Sequence, residues 1–74
     1  MNNFPTRQQI EGTRQRYPKG TRVKCIRMSG ETSVKSGDLG TVKFVDDAGQ
    51  IHVNWDNGSS LALIPGEDSY SKVE

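Results

Sequence analysis

Few side chains in this sequence have the chemistry to act on a ligand, and they fall into three sets. The first is Cys25 and His52, the one cysteine and the one histidine of the chain. A thiol and an imidazole are the pair a nucleophilic site uses, but a general base also needs an orienting partner in a concave site. Here the cysteine alternates with apolar residues, as a buried thiol does. His52 sits in mid-strand on the face away from Ile51, Val53 and Trp55. Two soft ligands are also too few for a closed zinc site. The second set is Asp46 and Asp47. Adjacent in an acidic turn, their side chains diverge, and they read as turn formers. The third set is basic: Arg14, Arg16, Lys19, Arg22, Lys24 and Arg27. Arginine forks match phosphate or carboxylate oxygens two at a time. No glycine-rich loop precedes a helix, so phosphate-loop chemistry is absent: Gly37 and Gly40 flank the start of a strand. The expectation is a protein with no catalytic residues, no metal and no cofactor.

Candidate binding residues are therefore Arg16, Tyr17, Lys19, Arg22 and Lys24 around the Pro18 turn, and His52, Asn54 and Trp55 on one strand. If the end of a helix folds back to the start of the next strand, the four basic heads converge and invite an anion. Tyr17 then supplies a ring on which a base or a guanidinium stacks. His52 and Asn54 present an outer sheet face, either solvated or in contact with a ligand or subunit. Trp55 has two readings: it shares the apolar face of Ile51 and Val53, yet an indole at a strand end also suits a groove.

The elements that must hold these residues are short. Thr6 and Gln9 form a capping-box pattern before a polar helix running to Arg16, with Gly12 its weak point and Pro18 its end. Phe4, Ile10 and Tyr17 are its apolar residues. Thr21–Met28 alternates as a strand, with Val23 and Cys25 inward and a slip at Ile26 that signals a bulge. A long loop containing Val34 leads to Leu39–Val45, a β-branched and aromatic strand. Asp46–Gly49 is a turn, and Gln50–Asp56 alternates cleanly. Asn57-Gly58 reads as a type I′ hairpin turn. Ser59–Ile64 returns, Glu67–Ser69 suits a tight helical turn, and Tyr70–Val73 closes. The expected interior is Val23, Cys25, Val42, Phe44, Ile51, Val53, Trp55, Leu61 and Leu63. The fold class is all-β: a small five-stranded SH3-like barrel, residues 19–74, with a short N-terminal helix in a lead-in, residues 1–18.

The chain of 74 residues is near the lower limit for a self-sufficient core. With one cysteine no internal disulfide forms, so self-association into a homo-oligomer is the expected support. No apolar run approaches the length of a membrane span, and Met1–Pro5 lacks a signal-peptide pattern. Together with a free thiol this places the protein in the cytoplasm. The net charge is only +1, but it is unevenly distributed. Residues 1–28 carry seven Arg and Lys against Glu11 alone, and residues 29–74 carry three Lys against eight acids.

The run from Gly37 to Leu61, with its Gly-Thr-Val strand, acidic turn and closing Trp-Asp-Asn-Gly, resembles the core of SH3-like barrels, including the domain shared by the mind-bomb and HERC ubiquitin ligases. Tyr17–Val23, Ile51–Leu61 and Pro65–Asp68 more closely resemble the pattern of domain-of-unknown-function family four-three-one-four, small proteins of bacteria and phages. That resemblance implies a binding module, a phage or mobile-element accessory protein acting on a host protein partner. The alternative is a binder or sequestering oligomer for a phosphorylated ligand such as a small nucleotide. Nucleic acid itself is disfavoured by the acidic C-terminal two-thirds. An adaptor that stabilises a larger complex stands as a third reading.

Overall fold

In the computed structural model, which describes residues 5–28 and 33–73, the order of elements is α1 (Arg7–Arg16), β1 (Arg22–Arg27), β2 (Leu39–Val45), β3 (Ile51–Trp55), β4 (Ala62–Leu63) and β5 (Ser69–Lys72). The strands form one antiparallel sheet in the order β4-β3-β2-β1-β5. The protein is thus mostly β with one short helix. Among the described residues no ladder joins the two edge strands, β4 and β5. The expected readings of Phe4 and of residues 29–32 of the long loop lie outside the described residues.

Helix α1 begins where its capping box dictates. Thr6 Oγ1 accepts from the Gln9 N–H at 3.1 Å, and Gln9 Oε1 accepts from the Thr6 N–H at 2.8 Å. The Tyr17 N–H donates to Thr13 O, and Pro18 allows no further turn. Its one strongly apolar face residue, Ile10, enters the core, so the helix docks on its own chain. Arg14 fastens it there by donating from Nε to Val45 O and pairing with Asp47 at 2.9 Å.

Alternation accounts for most of the interior. Val23, Cys25, Val42, Ile51, Val53, Trp55 and Leu63 are buried. Leu61 is only partly buried and packs at the margin. Ile10, Val45 and the loop residue Val34, which is 2% exposed, complete the core.

Phe44 is the main correction. Val42 pairs with Val53 but Phe44 pairs with His52, so β2 advances two residues while β3 advances one. Lys43 is the extra residue of a β-bulge, and the phase behind it inverts. Val45 takes the inward place and Phe44 turns out, 49% exposed. The slip at Ile26 is likewise a bulge, opposite β5.

Asn57-Gly58 is not a type I′ turn, since Asn57 does not have positive φ. The Gly58 N–H donates to Trp55 O, Gly58 has φ 95°, and the Trp55 N–H donates to Ser59 O. This is a three-residue hairpin loop ending in a left-handed glycine. Asp46–Gln50 repeats the same geometry with Gly49 at φ 86°. The chain therefore re-enters the sheet late, and β4 is shorter than expected. Instead of a helical turn before β5, a tight turn forms, in which the Glu67 and Asp68 N–H groups donate to Ile64 O.

Candidate functional site

The outer face of β2 and β3 is where exposed chemistry collects. Across the ladder Thr41 pairs with Asn54 and Phe44 with His52. The Phe44 and His52 rings stack with centroids 4.4 Å apart and planes 10° from parallel. His52 is held from behind: its Nε2 lies 2.8 Å from Asp46 Oδ2. Asp46 Oδ1 in turn accepts from the Ala48 and Gln50 N–H groups. Burial pushes the Asp46 carboxyl up, but His52 and these backbone donors together outweigh it and hold it below the ordinary carboxylate range.

The turn after α1 forms the other bank. Thr21 N–H and Oγ1 both bond Pro18 O, and the Gly20 N–H, on a residue with φ 94°, donates to Val42 O. This pins Lys19 and Gly20 beside β2. Between that turn and the sheet lies a shallow groove of about 450 Å3, lined by Lys19, Gly20, Thr41, Val42, Lys43, Phe44 and Asn54.

Arg22 borders the same face but is engaged. Its Nη1 and Nη2 donate to the two oxygens of Asp56 at 2.9 and 2.7 Å, and Nη1 also donates to Thr41 Oγ1 at 2.9 Å. This forked bond to Arg22 pulls the Asp56 carboxyl below its ordinary value. Lys24, two residues on, is exposed.

The residues singled out in the sequence thus separate. Lys19, His52 and Asn54 come together on the outer face, with Arg22 and Lys24 along its β1 side. Trp55 faces the core, 3% exposed, with Nε1 donating to Leu61 O at 2.9 Å. Arg16 and Tyr17 lie elsewhere. Tyr17 packs edge-on against Tyr70 at 5.6 Å, and Lys72 Nζ sits 5.2 Å above its ring, so the ring is not a free stacking platform. Arg16 opens onto a second, larger cleft of about 1190 Å3 between α1 and the turn at Ile64–Glu67. Its guanidinium lies back over Gly12, 3.2 Å from where a β-carbon would stand. Arg16 and Lys19 therefore face different cavities, and the basic heads do not converge.

Sequence reasoning missed Lys43, Phe44 and Thr41. A signal was present: Phe44 and Val45 are adjacent and both apolar, and a regular strand can bury only one of them. Among the described residues no three His, Cys, Asp or Glu side chains gather as a metal site would need. Nor is any helix there long and apolar enough to cross a membrane.

Compared with known families, residues 6–73 match the model of DUF4314, a domain of unknown function. The chain belongs to this family. No curated protein and no solved structure matches it. Family membership covers α1 together with all five strands, so the outer-face groove lies wholly within the family's domain.

Proposed function

We propose that this DUF4314 protein is a non-enzymatic binding module that docks a protein partner on the outer face of β2 and β3. The observation that carries this reading is Phe44. A bulge turns a large aromatic out of the core and stacks it on a histidine that is itself held by Asp46. An exposed aromatic on a rigid strand, ringed by polar side chains, has the character of an interface anchor. The cytoplasm suits a protein whose single thiol is free and buried. The phage or mobile-element setting implied by the family resemblance makes a host protein the natural partner.

The alternative, a phosphorylated ligand held by Arg16, Lys19, Arg22 and Lys24, has less support. It needs those heads in one place, whereas Arg22 is committed to Asp56 and Arg16 faces another cavity.

Affinity capture from a bacterial lysate with the wild-type chain and with Phe44→Ser tests the reading. The expected result is a protein retained by the wild type and lost by the variant at equal melting temperature. That protein, purified, should bind the wild type at least about tenfold more tightly than the variant. Equal retention by both chains would remove the outer face as the docking surface. A nucleotide panel run by calorimetry checks the alternative.

A further inference from the structure

Resting on the reading of the outer face as the docking surface, we infer that the groove between Lys19 and Lys43 takes an acidic peptide segment, anchored by an aromatic or aliphatic side chain against Phe44. Charge is the first observation. Of the two carboxylates bordering this face, Asp56 is paired with Arg22, while Asp46 is held by His52 Nε2 and two backbone N–H groups. Lys19 and Lys43 have no carboxylate within ion-pairing distance among the described residues, and no acid lines the groove. Three lysines, Lys19, Lys43 and Lys24, therefore outnumber the one carboxylate on this face, Asp46, that has no Lys or Arg partner, and positive charge lies on both banks of the groove.

The second observation is the apolar floor. Phe44 is half exposed, and its ring stacks on His52. A flat ring backed by a stacked partner offers contact area, and an aromatic side chain has few torsions to order. The third is Asn54. Its side chain is exposed and makes no hydrogen bond among the described residues, so its amide is free to donate to and accept from a peptide backbone. Cations at the rim, an aromatic centre and an amide beside it match carboxylate side chains flanking one apolar residue.

Carboxylate fits better than phosphate. The arginine fork on this face, which would grip phosphate bidentately, is filled by Asp56, leaving two ammonium groups that act as point charges.

The test is selection of a randomised peptide library on the full chain, followed by synthesis of the enriched peptides and calorimetry. Asp and Glu flanking Phe, Trp or Leu should be enriched. Lys43→Glu should weaken the enriched peptides at least about tenfold. Raising salt from about 50 to about 300 mM should weaken them several-fold. Arg16→Glu, in the other cleft, should change nothing. Lys19→Glu serves as the second variant if Lys43→Glu alters the melting temperature. Neutral or basic peptides that still lose binding on Phe44→Ser would overturn the acidic segment while leaving the outer face as the docking surface. Peptides indifferent to Phe44→Ser but lost on Arg16→Glu would overturn both. A library that yields no enrichment overturns the inference, and preferential binding of a short oligonucleotide sensitive to Lys43→Glu overturns the protein-partner reading as well.

Discussion

Gly40 shows how one residue type sets the packing around it. It lies in β2 opposite Trp55 and Val23, and the space a β-carbon would occupy is filled. Val53 Cγ1 would stand 2.5 Å from such a carbon, Trp55 Cε3 2.9 Å and Asn54 O 3.0 Å. The backbone oxygen cannot retreat without breaking the ladder, and the two side chains are core. Gly40→Ala should therefore cost about 1–3 kcal/mol, as overpacking does, read as a lower denaturant midpoint. Tyr70 makes a pH prediction at the same scale. Burial, then the neighbouring Tyr17, push its phenol up to about 12, against the pull of Arg16. The folded state keeps the proton that the unfolded chain loses near pH 10. The stability this represents is complete below pH 10 and is lost as pH rises toward 12. Melting temperatures of the wild type and Tyr70→Phe should diverge across that window, with the wild type falling faster. Parallel curves would show that packing at the margin of the core does not shield the Tyr70 phenol.

At the scale of elements, helix α1 carries its own contradiction. Gly12 in mid-helix costs about 1 kcal/mol relative to alanine. Its neighbour is the Arg16 guanidinium, the far end of a flexible and exposed side chain, which can yield a few tenths of an ångström. Gly12→Ala should accordingly stabilise the protein by about 0.5–1 kcal/mol, measured as a higher denaturant midpoint. A loss of stability would mean that the Arg16 position over Gly12 contributes to the fold. In the two hairpins the side chain before the loop, or within it, supports the turn: Asp46 Oδ1 accepts from the Ala48 and Gln50 N–H groups, and Asn57 Oδ1 accepts from the Ser59 N–H. These bonds suit a three-residue loop, in which glycine alone takes the left-handed conformation.

Over the whole molecule, part of the uneven charge is resolved inside the chain. Arg14 reaches Asp47 and Arg22 reaches Asp56, so basic residues near the start pair with acids far along the sequence. The core is one cluster drawn from α1, the sheet and the 33–38 segment, and Val53 lies at its centre with no exposure. Val53→Asp would bury an unpaired charge, worth several kcal/mol against a total near 5 for a domain of this size. The variant should show no cooperative melt by circular dichroism, and wild-type melting would refute the core assignment.

Period-two alternation and turn chemistry are local properties, so the amino-acid sequence alone determined the helix with its capping box and the strands around Val23, Val42 and Val53, while the structure chose the core reading of Trp55 over the groove. The sequence pattern also carried Lys19, His52 and Asn54 as candidates on the surface. What tertiary structure decided was phase and company. Whether Phe44 or Val45 faces inward depends on the register of β2 against β3, and a single bulge at Lys43 reverses it. Whether Arg22 is free depends on Asp56, 34 residues away and brought across the sheet by that same pairing. Arg16 and Lys19, three residues apart, part company because the turn at Pro18 sends one over the helix and the other onto the sheet. Alternation records which residues can be buried, but only the ladder between strands fixes which face each one takes.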